Sequence, residues 1–515
     1  MPDYDIAIVG GGWTGVHAAY RIALTDPGAR ILLLEASDRL GGRARSIEIA
    51  PGRALDFGAH YFGIKQRRIH ALARRIAPGL VYEHPPLYGL DPGFRTFVEG
   101  SWRITTKSTS FLEIQGLSRK IPPSDMLAMF GSLARYHALE DVIDVRAPWN
   151  TPGAAELDAQ SAQSFIDAQD GPAWIREMWG LGVLDILSVH AKDISLLYWL
   201  WYNRANGGFL LTANDFTGGP QEFSVLCGLG GLLEHHSKEI QAEIRLETPV
   251  VAIDHSHPDH VELALADGNT VSAECAIVAV TPAIAGRIRY EPELSPTRKR
   301  LHAQKTGHAS KAIAVYRHAF WRDDPAAPLM GMTAGPGAEG IEWGLDTTQP
   351  GGSPSLSVFV SDRLLDRAGP SPDARRAAVA EALVELTGDP RAKDPIRLEV
   401  YDWRDHPYVG GGPNTSFAPG VLSQVGEAFG KPEFPHRRLF FAAAEYSTSF
   451  PGYVEGALAS AAHVAAQIAW RRAGMPGDLP ALPPGPEPHE KRAAVLDEGG
   501  DLLLSGHRFL RRFGL

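Results

Sequence analysis

Between a short apolar run at residues 5–9 and an alanine-rich helical run from Val16 to Leu24 lies Gly10-Gly-Gly-Trp-Thr-Gly15. This strand, glycine turn and helix constrain the fold more than any other segment. A second apolar run at residues 30–35 closes a β-α-β unit, and strands that are apolar throughout predict a parallel sheet covered on both faces. Gly10, Gly12 and Gly15 satisfy G-x-G-x-x-G in that context. The first glycine allows the tight turn, the second lets a pyrophosphate approach the backbone, and the third lets helix and strand pack closely. The helix N-terminus, with Trp13 and Thr14 in its first turn, then offers partial positive charge to the phosphates. Glu35 ends the second strand, where a carboxylate accepts hydrogen bonds from a ribose diol and repels a 2′-phosphate. The segment therefore predicts dinucleotide binding.

The rest of the 515 residues divide by pattern. Residues 110–205 read as mostly helical. Strands return at Ile244, Val250, Val261 and Cys275, with Ala266-Asp-Gly-Asn269 as a hairpin turn. Ala312 to Tyr316 reads as a strand, and Leu439-Phe-Phe-Ala-Ala leads into a long helix from about Val454 to Trp470. Sheet segments at both ends and in the middle predict two interleaved domains. A formal charge of −10 argues against nucleic-acid binding. Cys227 and Cys275 are the only cysteines, which excludes a disulfide framework or a four-cysteine zinc site and favours a reducing, cytoplasmic setting. No targeting segment or 18-residue apolar run is evident. His255, His257 and His260 lie on a polar hairpin without a carboxylate or cysteine cluster, so no metal site is expected.

Leu40-Gly-Gly-Arg43 follows Glu35, and here the sequence resembles the flavin-containing amine oxidase family, whose pattern is a glutamate, a short linker, then Gly-Gly-Arg. The resemblance continues through Leu55-Asp-Phe-Gly-Ala-His-Tyr-Phe-Gly63, Glu247-Thr-Pro-Val-Val251, Phe441-Ala-Ala-Ala-Glu445 and Pro451-Gly-Tyr-Val-Glu-Gly-Ala457. Tyr198-Trp-Leu-Trp-Tyr202, Gly218-Gly-Pro-Gln-Glu222 and Ala319-Phe-Trp321 are most similar to the monoamine oxidase branch. The resemblance implies an α/β fold: a Rossmann-like FAD-binding domain from residues 1–80, 225–300 and 405–470, with an inserted α+β substrate-binding domain from 81–224 and 301–404. Residues 471–515 would form a proline-rich linker and tail.

The same resemblance assigns residues. Glu35, Ala36, Gly42 and Arg43 would meet the ribose and pyrophosphate, and Val250 the adenine. Gly58, Ala59, His60 and Tyr61 would pass the flavin ring beside Trp403, while Ala444, Glu445, Gly452, Tyr453 and Val454 would meet the ribityl and phosphate groups. Lys311 matches a lysine held, through a water, near flavin N5; burying that amine beside Ala312-Ile-Ala-Val should lower its pKa. Gln221 and Tyr453 fall on the substrate side. Tyr453 matches one of two tyrosines that flank the amine, and Gly412-Pro413 stands where the second is expected, so Pro413 replaces it. Gly412 also occupies the place of the cysteine that binds flavin in animal monoamine oxidases, which predicts non-covalent FAD. Ser37 and Ala444 depart from the residues usual in the family.

The implied reaction is oxidation of an amine to an imine and then a carbonyl, with dioxygen reduced to hydrogen peroxide. One alternative is an L-amino-acid oxidase or related biosynthetic oxidase, against which stands His60-Tyr61, where those members place a carboxylate-binding arginine after Gly-Ala. The other is a flavoprotein retained as a binding or assembly module. The tail from Leu502 to Leu515 pairs leucines and phenylalanines with Arg508, Arg511 and Arg512; it is read as docked on its own domain or on a homodimer partner, with weak membrane-surface contact as the alternative.

Overall fold

The computed structural model describes residues 2–84, 93–98, 101–105, 122–213, 219–324, 329–333, 338–426 and 428–485. Gly218, the tail from 486 onwards and part of the 110–205 run lie outside these residues.

The glycine turn joins strand Tyr4–Val9 to helix Trp13–Thr25, which begins three residues before Val16, and the chain returns as strand Ile31–Leu34. Tyr4–Val9 is central in an eight-stranded sheet, parallel to Ile31–Leu34 on one side and to Thr270–Val278 on the other. Glu243–Arg245 extends the sheet beyond Ile31–Leu34. Thr270–Val278 is shared: its first half pairs antiparallel with Val261–Leu265, and its second half pairs parallel with Leu439–Phe441. Val250–Asp254 and Arg289–Glu291 complete the other edge.

Both faces of this sheet are covered, as the unbroken apolar strands require. Ile6, Ile8, Leu33 and Ile277 face helices Trp13–Thr25 and Val454–Arg472, whose Ala18, Ala19, Ala461 and Ala465 let the two approach closely. Ala7, Val9, Leu32 and Val278 face the opposite way, in one core with the aromatic cluster of Tyr136, Trp179, Trp199 and Phe209. Each large side chain buried this way contributes about 1.5–3 kcal/mol relative to exposure.

A second, mostly antiparallel sheet has seven strands, in the order Arg397–Asp402, Ser310–Val315, Ser355–Val360, Ile341–Asp346, Leu329–Thr333, Gly93–Val98 and Ser101–Thr105. Only the Ser310–Val315 strand was evident from sequence pattern. Its six residues are all buried, so this sheet too is covered where it meets the rest of the molecule. A short hairpin, Ser46–Ala50 with Arg53–Asp56, lies between the sheets.

Candidate active site

A cavity of about 1750 Å³ runs from the C-terminal ends of the parallel strands to the second sheet. That exceeds the roughly 300–1,000 Å³ usual for a single small-ligand pocket. One end is built by the glycine turn. Gly10 has φ +109°, and a Cβ there would sit 2.8 Å from the Ala279 carbonyl oxygen. A Cβ on Gly15 would sit 2.0 Å from the Gly10 carbonyl oxygen, so this glycine serves helix–strand packing and lies outside the cavity lining. Gly12 differs: nothing comes closer to its Cβ position than 3.8 Å, which leaves its face open to the cavity. No side chain caps the helix that starts at Trp13, so its first-turn N–H groups are available to a phosphate.

Glu35 is buried beside this turn. Gly11 N donates to Oε2 at 2.6 Å and Ser37 N to Oε1 at 2.8 Å, which fixes the carboxylate at the cavity wall. Ala36, Thr248, Val250 and Ala266 line the cavity beyond it, where an adenine would lie. A second uncapped helix, Val454–Arg472, also starts on the cavity, with Ala444, Gly452, Tyr453 and Val454 in the lining. Gly42 and Arg43 line the stretch between the two helix starts.

Glu445 departs from its assigned place. It does not line the cavity; it lies behind Arg43, whose Nη1 and Nη2 donate to its two carboxylate oxygens at 2.7 and 3.0 Å. Thr415 N also donates to Glu445 Oε1. With both oxygens so engaged and its side chain 1% exposed, Glu445 orients the arginine and has no contact surface for a ligand.

Past Arg43 the chain forms the hairpin strand Arg53–Asp56 and then Phe57 to Tyr61, which borders the cavity. Gly58 is required by crowding, since a Cβ there would sit 1.8 Å from the Arg43 carbonyl oxygen. Trp403 Nε1 donates to Phe57 O at 3.1 Å and its ring walls the cavity. His60 stacks on Tyr61 with centroids 4.0 Å apart. Burial, then the charge of Lys311, then His84, hold the His60 imidazole well below its usual pKa, so it is neutral.

Lys311 enters from the second sheet, and its Nζ donates to the main-chain oxygen of Asp56 at 2.6 Å. Burial lowers its pKa to about 8, against an opposing pull from Asp56. Asp56 itself is fully buried, and burial pushes its carboxyl up to about 7 despite donation from Ser46 Oγ and Leu229 N. The sequence assigned Asp56 no role.

Gln221, Pro413 and Tyr453 line the cavity together with Tyr61, Tyr202, Ile186, Trp343 and Phe359. Tyr202 was visible only as part of an aromatic run. It lies in the second half of helix Leu196–Ala205, lines the cavity, and its hydroxyl is 3.2 Å from the Cβ position of Gly452 just before the start of another. Neither cysteine reaches this space: Cys275 is buried within its strand, and Cys227 precedes helix Gly228–Ser237. The residues present therefore fit an extended dinucleotide: two helix starts and an arginine at the middle, a carboxylate at one end, and aromatic walls at the other.

The family model described as flavin containing amine oxidoreductase matches residues 14–469. A flavin-containing amine oxidase of Oncorhynchus mykiss is 28% identical over 478 residues, which covers 92% of this chain and 87% of that protein. The solved structure of cyclohexylamine oxidase from Brevibacterium oxydans superposes with a TM-score of 0.76 at 26% identity, covering 92% of this chain and 100% of that one. Putrescine oxidase bound to putrescine shares the fold, with a TM-score of 0.75 at 23% identity over 90% of this chain and 99% of its own. No described helix is long and apolar enough to cross a membrane.

Proposed function

The chain belongs to the flavin-containing amine oxidoreductase family, and from that premise we propose how its residues divide the work of oxidising an amine. It is an FAD-dependent amine oxidoreductase. When bound, FAD accepts the two electrons released as the amine carbon becomes an imine carbon; dioxygen is the proposed final acceptor, giving hydrogen peroxide. Water then hydrolyses the imine to a carbonyl compound and an amine or ammonia.

Gly10, Gly12, Trp13, Thr14, Glu35, Ala36, Gly42, Arg43, Val250, Ala444 and Gly452 hold the dinucleotide, with Gly15 and Glu445 supporting them from behind. FAD is held without a thioether, since the thiols lie away from the cavity. Gly58, Ala59, His60, Tyr61 and Trp403 border the ring, and Val454 opens the second helix towards it.

The observation that carries the chemistry is an amine, Lys311, buried on the cavity wall beside the segment that borders the flavin. Its one hydrogen bond to Asp56 O fixes the nitrogen and leaves its other sites for a water. With its pKa lowered to about 8 it can hold that water as donor or, when deprotonated, as acceptor. Tyr453, Gln221 and Pro413 position the substrate. Tyr61, Tyr202, Ile186, Trp343 and Phe359 exclude bulk water and favour an amine carried on an apolar body. The FAD-binding domain takes residues 1–80, 225–300 and 405–470, and the substrate domain 81–224 and 301–404. Two unpaired thiols support a cytoplasmic setting.

The test is to purify the protein, record its visible spectrum, release the flavin with acid, and screen amines and amino acids for anaerobic bleaching and peroxide. Yellow protein bleached by simple apolar amines is expected. Bleaching by amino acids alone, or by nothing across a broad panel, overturns the substrate assignment. Lys311→Met should retain FAD and slow turnover at least tenfold, which is about 1.4 kcal/mol of transition-state stabilisation; unchanged kinetics remove Lys311 from the mechanism.

A further inference from the structure

Lys311 is held by a residue that carries a second, separate charge. The contact between them is made by the Asp56 main chain, while the Asp56 carboxylate turns away to the start of helix Gly228–Ser237. There Leu229 N donates to both carboxylate oxygens, at 3.1 and 3.2 Å, and Ser46 Oγ donates to one of them. Gly228, at φ +70°, makes this seat: a Cβ there would sit 2.7 Å from Asp56 Oδ1.

A carboxylate that is 1% exposed is costly to bury charged, and a cap on a helix of this length needs no acid. The groups around the pair narrow the explanation. His60 is neutral, and Tyr82 and Cys227 are held protonated by burial. His84, beyond His60, is also neutral, its pKa lowered to about 4 by burial. The aromatic residues beside Lys311 on its sheet, Phe359 and Tyr401, bring no positive charge. Among the described residues, Asp56 is thus the acid that acts on Lys311.

Resting on the proposed role of Lys311, we propose that Asp56 is its positioning residue: the main-chain carbonyl fixes where the nitrogen sits, and the carboxylate, seated on a helix start, favours the protonated form of that nitrogen against its burial. The helix start and Ser46 favour the charged carboxylate, and the charged carboxylate favours the protonated amine. The proton on Lys311 is therefore favoured by a contact on the far side of the hairpin from the cavity and disfavoured by burial.

The test uses the holoenzyme and two variants, Asp56→Asn and Ser46→Ala. Competitive acetylation with trace acetic anhydride, read by mass spectrometry on the Lys311 peptide across pH 6–10, reports the lysine's titration without amine or dioxygen. Reoxidation of the photoreduced enzyme over the same range reports its effect on turnover. Asp56→Asn should move both profiles to lower pH by about one unit, raising Lys311 reactivity about fivefold at pH 7. Ser46→Ala, which weakens only the seat of the carboxylate, should move them the same way by less. Loss of thermal stability with both profiles unmoved shows a purely structural acid and overturns the proposal. If Asp56→Asn fails to fold, Ser46→Ala decides alone. Failure of every amine to bleach the wild type would refute the functional reading, yet the labelling would still judge Asp56.

Discussion

Glu445→Gln tests the buried fork behind the pyrophosphate seat. In the native chain the carboxylate takes Arg43 Nη1 at 2.7 Å and Nη2 at 3.0 Å, and Thr415 N at 3.3 Å. Glutamine keeps the volume but turns one acceptor into an NH2 group. If its oxygen keeps the place of Oε1, the amide nitrogen meets Arg43 Nη2 donor to donor. One charge-assisted hydrogen bond is lost, about 1.5–3 kcal/mol, together with the attraction between whole charges. Removing one member of a buried pair costs about 3–5 kcal/mol. The Arg43 side chain is 22% exposed through the cavity, so water screens part of its orphaned charge, and we take the lower end, about 3 kcal/mol. At about 2.1 cal/mol/K of unfolding entropy per residue, this lowers Tm by about 3 °C.

A double-mutant cycle makes the assignment sharp. Arg43→Met, Glu445→Gln and the double variant are compared by chemical denaturation of the FAD-free protein. The double variant should be less destabilised than the sum of the singles by at least about 1.5 kcal/mol, because each single leaves its partner unpaired. FAD titration of Glu445→Gln should show Kd raised about tenfold, since Arg43 then meets the ligand without a fixed orientation. Single costs that add within about 0.5 kcal/mol would refute the reasoning, and so would an unchanged FAD affinity.

Gly58→Ala places a methyl 1.8 Å from the Arg43 carbonyl oxygen and 3.0 Å from the Trp403 ring, so the flavin-side segment must move; visible absorbance should show FAD occupancy lost at concentrations that saturate the wild type. Glu35→Gln replaces an acceptor of two backbone N–H groups at the ribose end; one donor is left unpaired, and isothermal titration should show FAD binding weakened by about 1–3 kcal/mol. His302 has no partner on either ring nitrogen, and burial, with Arg298 beside it, lowers its pKa to about 3 from the usual 6.5. The unfolded chain binds this proton between those values and the fold does not. The stability it contributes is present above pH 6.5 and is lost as pH falls towards 3. His302→Leu should therefore flatten the acid limb of stability against pH by up to about 1.4 kcal/mol per unit, with little change at pH 8; an unaltered slope removes His302 from that limb.

The sequence showed most plainly what is local. Gly10, Gly12 and Gly15 do their work within one turn, and their spacing shows it without any knowledge of distant residues. Strands covered on both faces, such as Ile31–Leu34, show as apolar runs. The second sheet was mostly hidden. Ile341–Asp346 and Arg397–Asp402 mix charged and aromatic residues, because they are not uniformly buried and parts of them face the cavity or solvent. Their pattern fits neither alternation nor a covered core. The family resemblance of the Phe441–Glu445 motif places Glu445 at the ligand. Its real partner, Arg43, is 402 positions away, and nothing in either segment reveals that the two side chains neutralise each other. Asp56 has no role legible in sequence for the same reason, since its seat is completed by Leu229, 173 positions away.

That hidden sheet explains how Lys311 could serve in the proposed role. Across its strands Trp343, Phe359, Lys311 and Tyr401 are successive register partners, so they stand in one row. A lysine on a loop would turn its ammonium to water and keep an ordinary pKa. On the Ser310–Val315 strand its stem is fixed by ladders on both sides, with aromatic neighbours to left and right. The nitrogen can then reach only the hairpin opposite and the cavity. Desolvation is the larger influence on it and Asp56 the smaller, opposing one. The balance of two opposed influences, rather than either alone, places its titration at about pH 8. Burial between the second sheet and the hairpin supplies the first and the Asp56 charge the second, so the lysine's titration depends on how the two meet.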